Sequence, residues 1–242
     1  MKKIIMLLLA ISLATILAAC GGDDESAEEG NGNEDIEQPE EGEAPAEQVE
    51  ISDEEKVSED EVVVNVNGND ILGDKYNATY GQTKVLMSQN GQDISNVDQL
   101  KEQTINVLVE QHLIKQEAEE KGIEVTEDEV DSEIETIKSE NGEQFTAVLE
   151  QYHLTEESYK DQLMFELTLN KYMEEEFSDI EVTDKEVQEY YDQAAEQQGE
   201  GLPAFKEVEG QLKQRLAQQK EQQQLMSKVE ELKESAEIEK LI

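Results

Sequence analysis

The chain of 242 residues has no tryptophan, one cysteine, two histidines and three prolines. A single cysteine leaves no partner for a disulfide within the chain, so stability must come from the core. The histidines, His112 and His153, stand far apart, and neither has a cysteine nearby. Zinc spacings of the His-x-x-x-His or Cys-x-x-Cys kind are therefore absent. There is also no Gly-x-x-x-x-Gly-Lys loop, no Gly-x-Gly-x-x-Gly and no Gly-x-Ser-x-Gly, which removes the recognisable phosphate cradles and the nucleophile elbow. Positive charge is scarce: 19 Lys and Arg face 61 Asp and Glu, a net of −42. Such a chain repels nucleic acid and anionic headgroups. Carboxylate pairs are so frequent that none marks an acid/base site, and a solvated helix face is the default for each. The acidic run 128–131 lacks the glycine and the ligand spacing of an EF-hand loop. No catalytic residue, metal or cofactor is assigned.

The amino terminus is informative. Lys2 and Lys3 precede an apolar stretch from Ile4 to Leu17, broken only by Ser12 and Thr15, and the stretch ends Leu17-Ala18-Ala19-Cys20. A basic start, a short apolar run and small residues at the cut describe a secretion signal over 1–19. The run falls short of the ~20 apolar residues that a transmembrane helix needs. A cysteine at the cut resembles the lipobox of bacterial lipoproteins. That resemblance implies cleavage before Cys20, acyl chains on its thiol, and a mature protein anchored by lipid at the extracytoplasmic face of the cell membrane. Two or more acyl chains hold such a protein firmly, one only weakly.

Residues 21–61 carry 19 acidic side chains and one basic one, Lys56, with hardly any large apolar group. They cannot bury enough surface to offset ordering entropy, and the expectation for 20–61 is a disordered acidic tether. As a flexible coil, ~40 residues reach roughly 35 Å. Residues 62–242 hold 42 acidic and 16 basic side chains. Their excess charge suits a salty or alkaline medium, where screening relieves self-repulsion.

Within 62–242 the pattern is mostly helical. Val62-Val63-Val64-Asn65-Val66 reads as a strand, and Asn67-Gly68 before Ile71-Leu72 is a strong hairpin signal. Helices are expected over about 74–89, 97–121, 127–140, 143–152, 156–177, 184–197 and 203–235. Gly122 serves as the cap of the second, and Pro203 sits in the first turn of the last. Thr126 with Glu129, and Thr183 with Glu186, are capping boxes. Val125 with Val130 and Val182 with Val187 are their hydrophobic staples, and Thr155 keeps the staple spacing without the box glutamate. Ala217–Gln224 has almost no apolar anchor and is expected in solvent. Ile238–Ile242 can return as a short strand.

The richest apolar segment is Leu163–Met173. Core packing is its first role. Its Met and aromatic side chains also suit adaptable contacts with varied partners. Candidate contacts of this kind are Met164, Phe165, Tyr172 and Met173, together with Tyr76, Tyr80 and Met87 on the first helix.

Four stretches resemble the SurA/PrsA-type extracytoplasmic chaperones. Val64-Asn-Val-Asn-Gly68 is similar to their first hairpin. Leu108–Ala118 followed by Lys121–Val130 is similar to their most recognisable run. The Thr183 repeat, and Phe205 through Leu216 closing on Ala236–Glu239, resemble the segments that flank their parvulin isomerase domain. Only about a dozen residues separate Tyr190-Tyr191 from Pro203, where isomerase-bearing members carry a whole domain. The resemblance therefore implies a mainly α fold: an elongated helical chaperone cradle with a small N-terminal β-hairpin and a short C-terminal strand. It implies ATP-free holding of unfolded or newly secreted polypeptides, without isomerase activity and without a cofactor. A structural lipoprotein with one dedicated partner, and an isomerase on an unrecognised site, are the alternatives. Dimerisation is left open.

Overall fold

The structure, a computed structural model, describes residues 49–198 and 203–242. The expected signal peptide, Cys20, the tether up to residue 48 and the break at 199–202 lie outside the described residues. The elements run β1 (Val62–Val66), β2 (Asn69–Leu72), α1 (Gly73–Gln89), α2 (Val97–Glu120), α3 (Glu127–Asn141), α4 (Glu143–Gln151), α5 (Glu156–Phe177), α6 (Asp184–Gln198), α7 (Phe205–Ser235) and β3 (Ile238–Lys240). The fold is mainly α, with one small antiparallel sheet in the order β2-β1-β3.

Local chemistry explains most boundaries. Asn67 and Gly68 both take positive φ, 52° and 83°, as a two-residue hairpin turn demands. Asn65 tightens the turn by accepting from the Gly68 N–H at 2.9 Å. At Thr126 and Thr183 the threonine oxygen accepts from the backbone of Glu129 and Glu186, and each glutamate accepts from the threonine N–H at 2.8 Å. The box at Thr155 is completed by Ser158, whose hydroxyl accepts from the Thr155 N–H at 2.9 Å. The end of α2 is a Schellman cap on Gly122 (φ 78°). There the Ile123 N–H reaches Ala118 O and the Gly122 N–H reaches Glu119 O. Pro203 lies just before α7 rather than inside its first turn: Ala204 is the N-cap with extended backbone (φ −60°, ψ 140°), and the Pro203 carbonyl accepts from the Tyr191 hydroxyl at 2.8 Å.

Three apolar clusters sit between the elements. The largest joins Val63, Val64, Val66 and Ile71 of the sheet to Tyr76, Tyr80 and Met87 of α1 and to Leu100–Leu113 of α2, with Leu232 and Ile238 against it. The second gathers Ala118, Ile123, Tyr172 and Phe177, with Met173, Ile180 and Leu225 on its rim. The third joins Val130 and Ile134 of α3 to Leu163 of α5. The C-terminal β3 closes the fold by pairing with β1, Val66 opposite Ile238 and Val64 opposite Lys240.

The tether expected over 20–61 needs correction at its end. Residues 49–61 pack on the body, and the described fold begins at Val49. Glu55 is only 7% exposed, and Ile51 and Val57 pack against the main core. These anchors are isolated residues in an acidic stretch, so composition averages them away.

Candidate client-binding surface

The structure separates the seven candidate contacts into two groups. Tyr76, Tyr80, Met87 and Tyr172 are buried at 0–5% exposure. In this arrangement they hold the core together and offer no surface to a partner, because aromatic rings at these helix positions are the volume that fills the clusters. Met164, Phe165 and Met173 are partly exposed. Met164 leans on the α3–α5 cluster and Met173 on the α2–α5 cluster.

Phe165 joins none of the three clusters, and neither does Leu169, which is also half-buried. Phe165, Leu169 and Met173 follow one another at four-residue spacing, so they lie along one face of α5. Leu163, Thr168, Tyr172 and Phe177 of the same helix are buried, and Tyr172, seven residues on from Phe165, borders the stripe on nearly the same side. Sequence inspection picks out Phe165 and Met173 but misses Leu169; the i, i+4 spacing is the signal that finds it.

Past the C-terminal end of this stripe lies an open groove of about 620 Å³, lined by Glu176, Asp179, Ile180 and Glu181 on one side and by Lys220, Gln223, Gln224 and Ser227 of α7 on the other. Leu225 of α7 shares the cluster with Met173, and its neighbour Met226 is 41% exposed. Stripe and groove together present flexible apolar groups beside polar and acidic ones. Such a surface can adapt to extended segments of differing sequence.

The electrostatics around it are acidic. Burial pushes the Tyr172 hydroxyl up to about 12, and the fields of Glu117, Glu176 and Glu231 add to this. Glu166 is raised by burial and by facing Glu133. Glu186, beside the groove, is lowered to about 2 by the Lys220 ammonium and its own capping bonds. Lys220 also donates to Glu181 O at 2.9 Å, which fixes α7 against the start of α6. Among the described residues no group of three or more His, Cys, Asp or Glu side chains gathers as metal ligands would.

An N-terminal hairpin, a run of capped helices and a terminal strand that returns to the hairpin define a helical domain closed by its own C-terminus. Residues 48–173, 126 of the 242, match the model of the SurA-like N-terminal domain. The chain belongs to that family. It is similar to the Foldase protein PrsA of Caldanaerobacter subterraneus subsp. tengcongensis, 32% identical over 60% of this chain and 46% of the relative. It is also similar to the Foldase protein PrsA of Halalkalibacterium halodurans, 33% identical over 51% of this chain and 40% of the relative. The Foldase protein PrsA 2 of Listeria innocua is 40% identical over 67 residues, 28% of this chain and 22% of the relative. The chain thus covers less than half the length of these relatives.

Proposed function

We propose that this chain is a membrane-anchored, ATP-independent chaperone that holds unfolded, newly secreted polypeptides outside the cytoplasm. Membership of the SurA-like N-terminal family carries the reading, and the foldase names of its relatives support it. The partly exposed stripe Phe165, Leu169 and Met173 supplies the holding surface. Residues 1–19 act as the signal, lipid on Cys20 as the anchor and residues 20–48 as the tether. Prolyl isomerase activity is absent from this reading, because α6 and α7 are joined through residues 199–204, too few for a catalytic domain.

The test is aggregation of an unfolded client in the presence of the full chain carrying Cys20→Ser. Suppression near equimolar ratio is expected, with Phe165→Ser plus Leu169→Ser reducing it severalfold while the helical signal stays intact. No suppression at any salt concentration contradicts the reading. In cells, Cys20→Ser should release the protein into the medium and abolish its role. A second reading, one dedicated partner docked on α7, is favoured by a single feature: this 31-residue helix has no buried side chain. Crosslinking in intact cells that captures one protein rather than many supports it over the first.

A further inference from the structure

Residues 49–57 run along α1, antiparallel to it, as a strap with no helix or strand of their own; their one internal backbone bond runs from the Glu55 N–H to Ser52 O. We propose that α1 carries a peptide-binding site, separate from the stripe on α5, that takes an extended segment bearing a carboxylate between two aliphatic side chains, and that the strap occupies this site in cis.

The contacts are those of peptide recognition. Four of them reach the strap's main chain. The His153 ring donates to Val49 O at 2.7 Å, and Lys84 Nζ donates to Glu50 O at 2.8 Å. Asn77 clamps Val57 from both sides, accepting from its N–H at 3.0 Å and donating to its carbonyl at 2.9 Å. Main-chain bonds give affinity without reading sequence, and seats for side chains supply the selectivity. Two of the seats exist because α1 has glycine there. A Cβ on Gly81 would stand 3.0 Å from Ile51 Cδ1 and 3.2 Å from His153 Cβ. A Cβ on Gly73 would stand 2.8 Å from Val57 Cγ2 and collide with Ser58 O. Eight residues of helix separate these two seats by ~12 Å.

Between them lies the carboxylate seat. Glu55 Oε1 accepts from the Tyr80 hydroxyl at 2.7 Å and from Lys84 Nζ at 2.6 Å. Its Oε2 accepts from the N–H and hydroxyl of Ser52. Lys84 is 8% exposed with the strap in place, so a segment that covers the seat without a carboxylate leaves a buried ammonium unpaired, and any replacement segment has to bring one. Tyr76, whose ring centre lies 5.7 Å from that of Tyr80, has a buried hydroxyl with no partner among the described residues. The cluster thus offers one donor that the strap does not use. On this proposal such a segment is exchangeable, and its release frees the Tyr80 hydroxyl and the Lys84 ammonium.

The test uses the full chain carrying Glu55→Gln, whose own strap no longer brings a carboxylate, and two fluorescent nonapeptides: residues 49–57 as they stand, and the same peptide with Gln for Glu55. The Glu55→Gln chain should bind the glutamate peptide about tenfold more tightly than the glutamine peptide, the cost of a missing charge partner. The wild-type chain should bind it about tenfold more weakly than the variant, because its tethered strap competes at high effective concentration. Trypsin should cut after Lys56, the sole basic residue of 21–61, faster in the variant than in the wild type. Equal affinity for both peptides, or no binding to a variant of intact helical signal, overturns the proposal. If Glu55→Gln lowers the helical signal, the Ile51→Asp chain, which empties the Gly81 seat and keeps Glu55, is read in the same way. Both readouts are independent of aggregation suppression, so failure here and failure of the chaperone reading are distinguishable.

Discussion

Glu55 is a carboxylate in a place where burial by itself would raise its pKa. The Lys84 ammonium, the Tyr80 hydroxyl and the two donors of Ser52 outweigh that effect and bring it down to about 2, against an ordinary 4.5. A carboxyl depressed in the folded state stabilises fully above its unfolded pKa and loses that contribution as pH falls through the folded one. The gap is on the order of 3 kcal/mol. We therefore expect the urea stability of wild type to exceed that of Glu55→Gln by about this amount at pH 7, and the difference to shrink between about pH 5 and pH 2. A difference that does not change with pH contradicts the ion pair. At this scale sequence is a poor guide. Nothing in Ser52-Asp-Glu-Glu-Lys56 distinguishes Glu55 from its neighbours, and its partners Tyr80 and Lys84 lie 25 and 29 residues away. The caps are the opposite case. Thr126 and Thr183 bond to groups three residues on, so the spacing alone identifies them.

Among the elements, α7 is the one whose docking the sequence reveals least. It runs 31 residues without one buried side chain and carries six basic and six acidic residues in a chain of net −42. Its neutrality lets it lie on an acidic body. Lys228 pairs with Glu117 at 3.3 Å and Lys233 with Glu110 at 2.9 Å, both on α2. Lys220 pairs with Glu186 at 2.7 Å on α6. Single surface pairs contribute only about 0–1 kcal/mol, but several along one helix add to the partial burial of Leu225 and Leu232. Lys228→Glu with Lys233→Glu replaces two attractions by repulsions and should cost roughly 1–3 kcal/mol. Adding Glu110→Lys should recover part of that loss in a double-mutant cycle measured by thermal unfolding. No recovery would mean that apolar contacts alone dock α7. The helix itself is legible from Phe205, Val208, Leu212 and Leu216. Its docking site is not, because charge partners on α2 are more than 100 residues away.

For the molecule as a whole, an excess of 26 negative charges over residues 62–242 makes self-repulsion the dominant electrostatic cost. Added salt should raise the melting temperature by several degrees between low ionic strength and about 1 M, since screening lengths fall from roughly 30 Å to 3 Å over that range. A flat response contradicts this, because ion pairs such as those of α7 weaken under the same screening and would then offset the relief of self-repulsion. Sequence by itself determined the helices, the hairpin and the caps. These depend on side-chain period, on φ preferences at Asn67-Gly68 and Gly122, and on bonds that span three or four residues. It also determined the family resemblance, because the order of those elements is written along the chain. Only the tertiary structure decided where the body begins, which aromatic residues fill the core and which remain for a partner, and what α7 and the strap rest on. Those outcomes follow from contacts between residues tens to more than a hundred positions apart. Tyr172 and Phe165 sit seven residues apart in one apolar run, and only the packing of α2 and α7 beside α5 buries the first and leaves the second partly exposed.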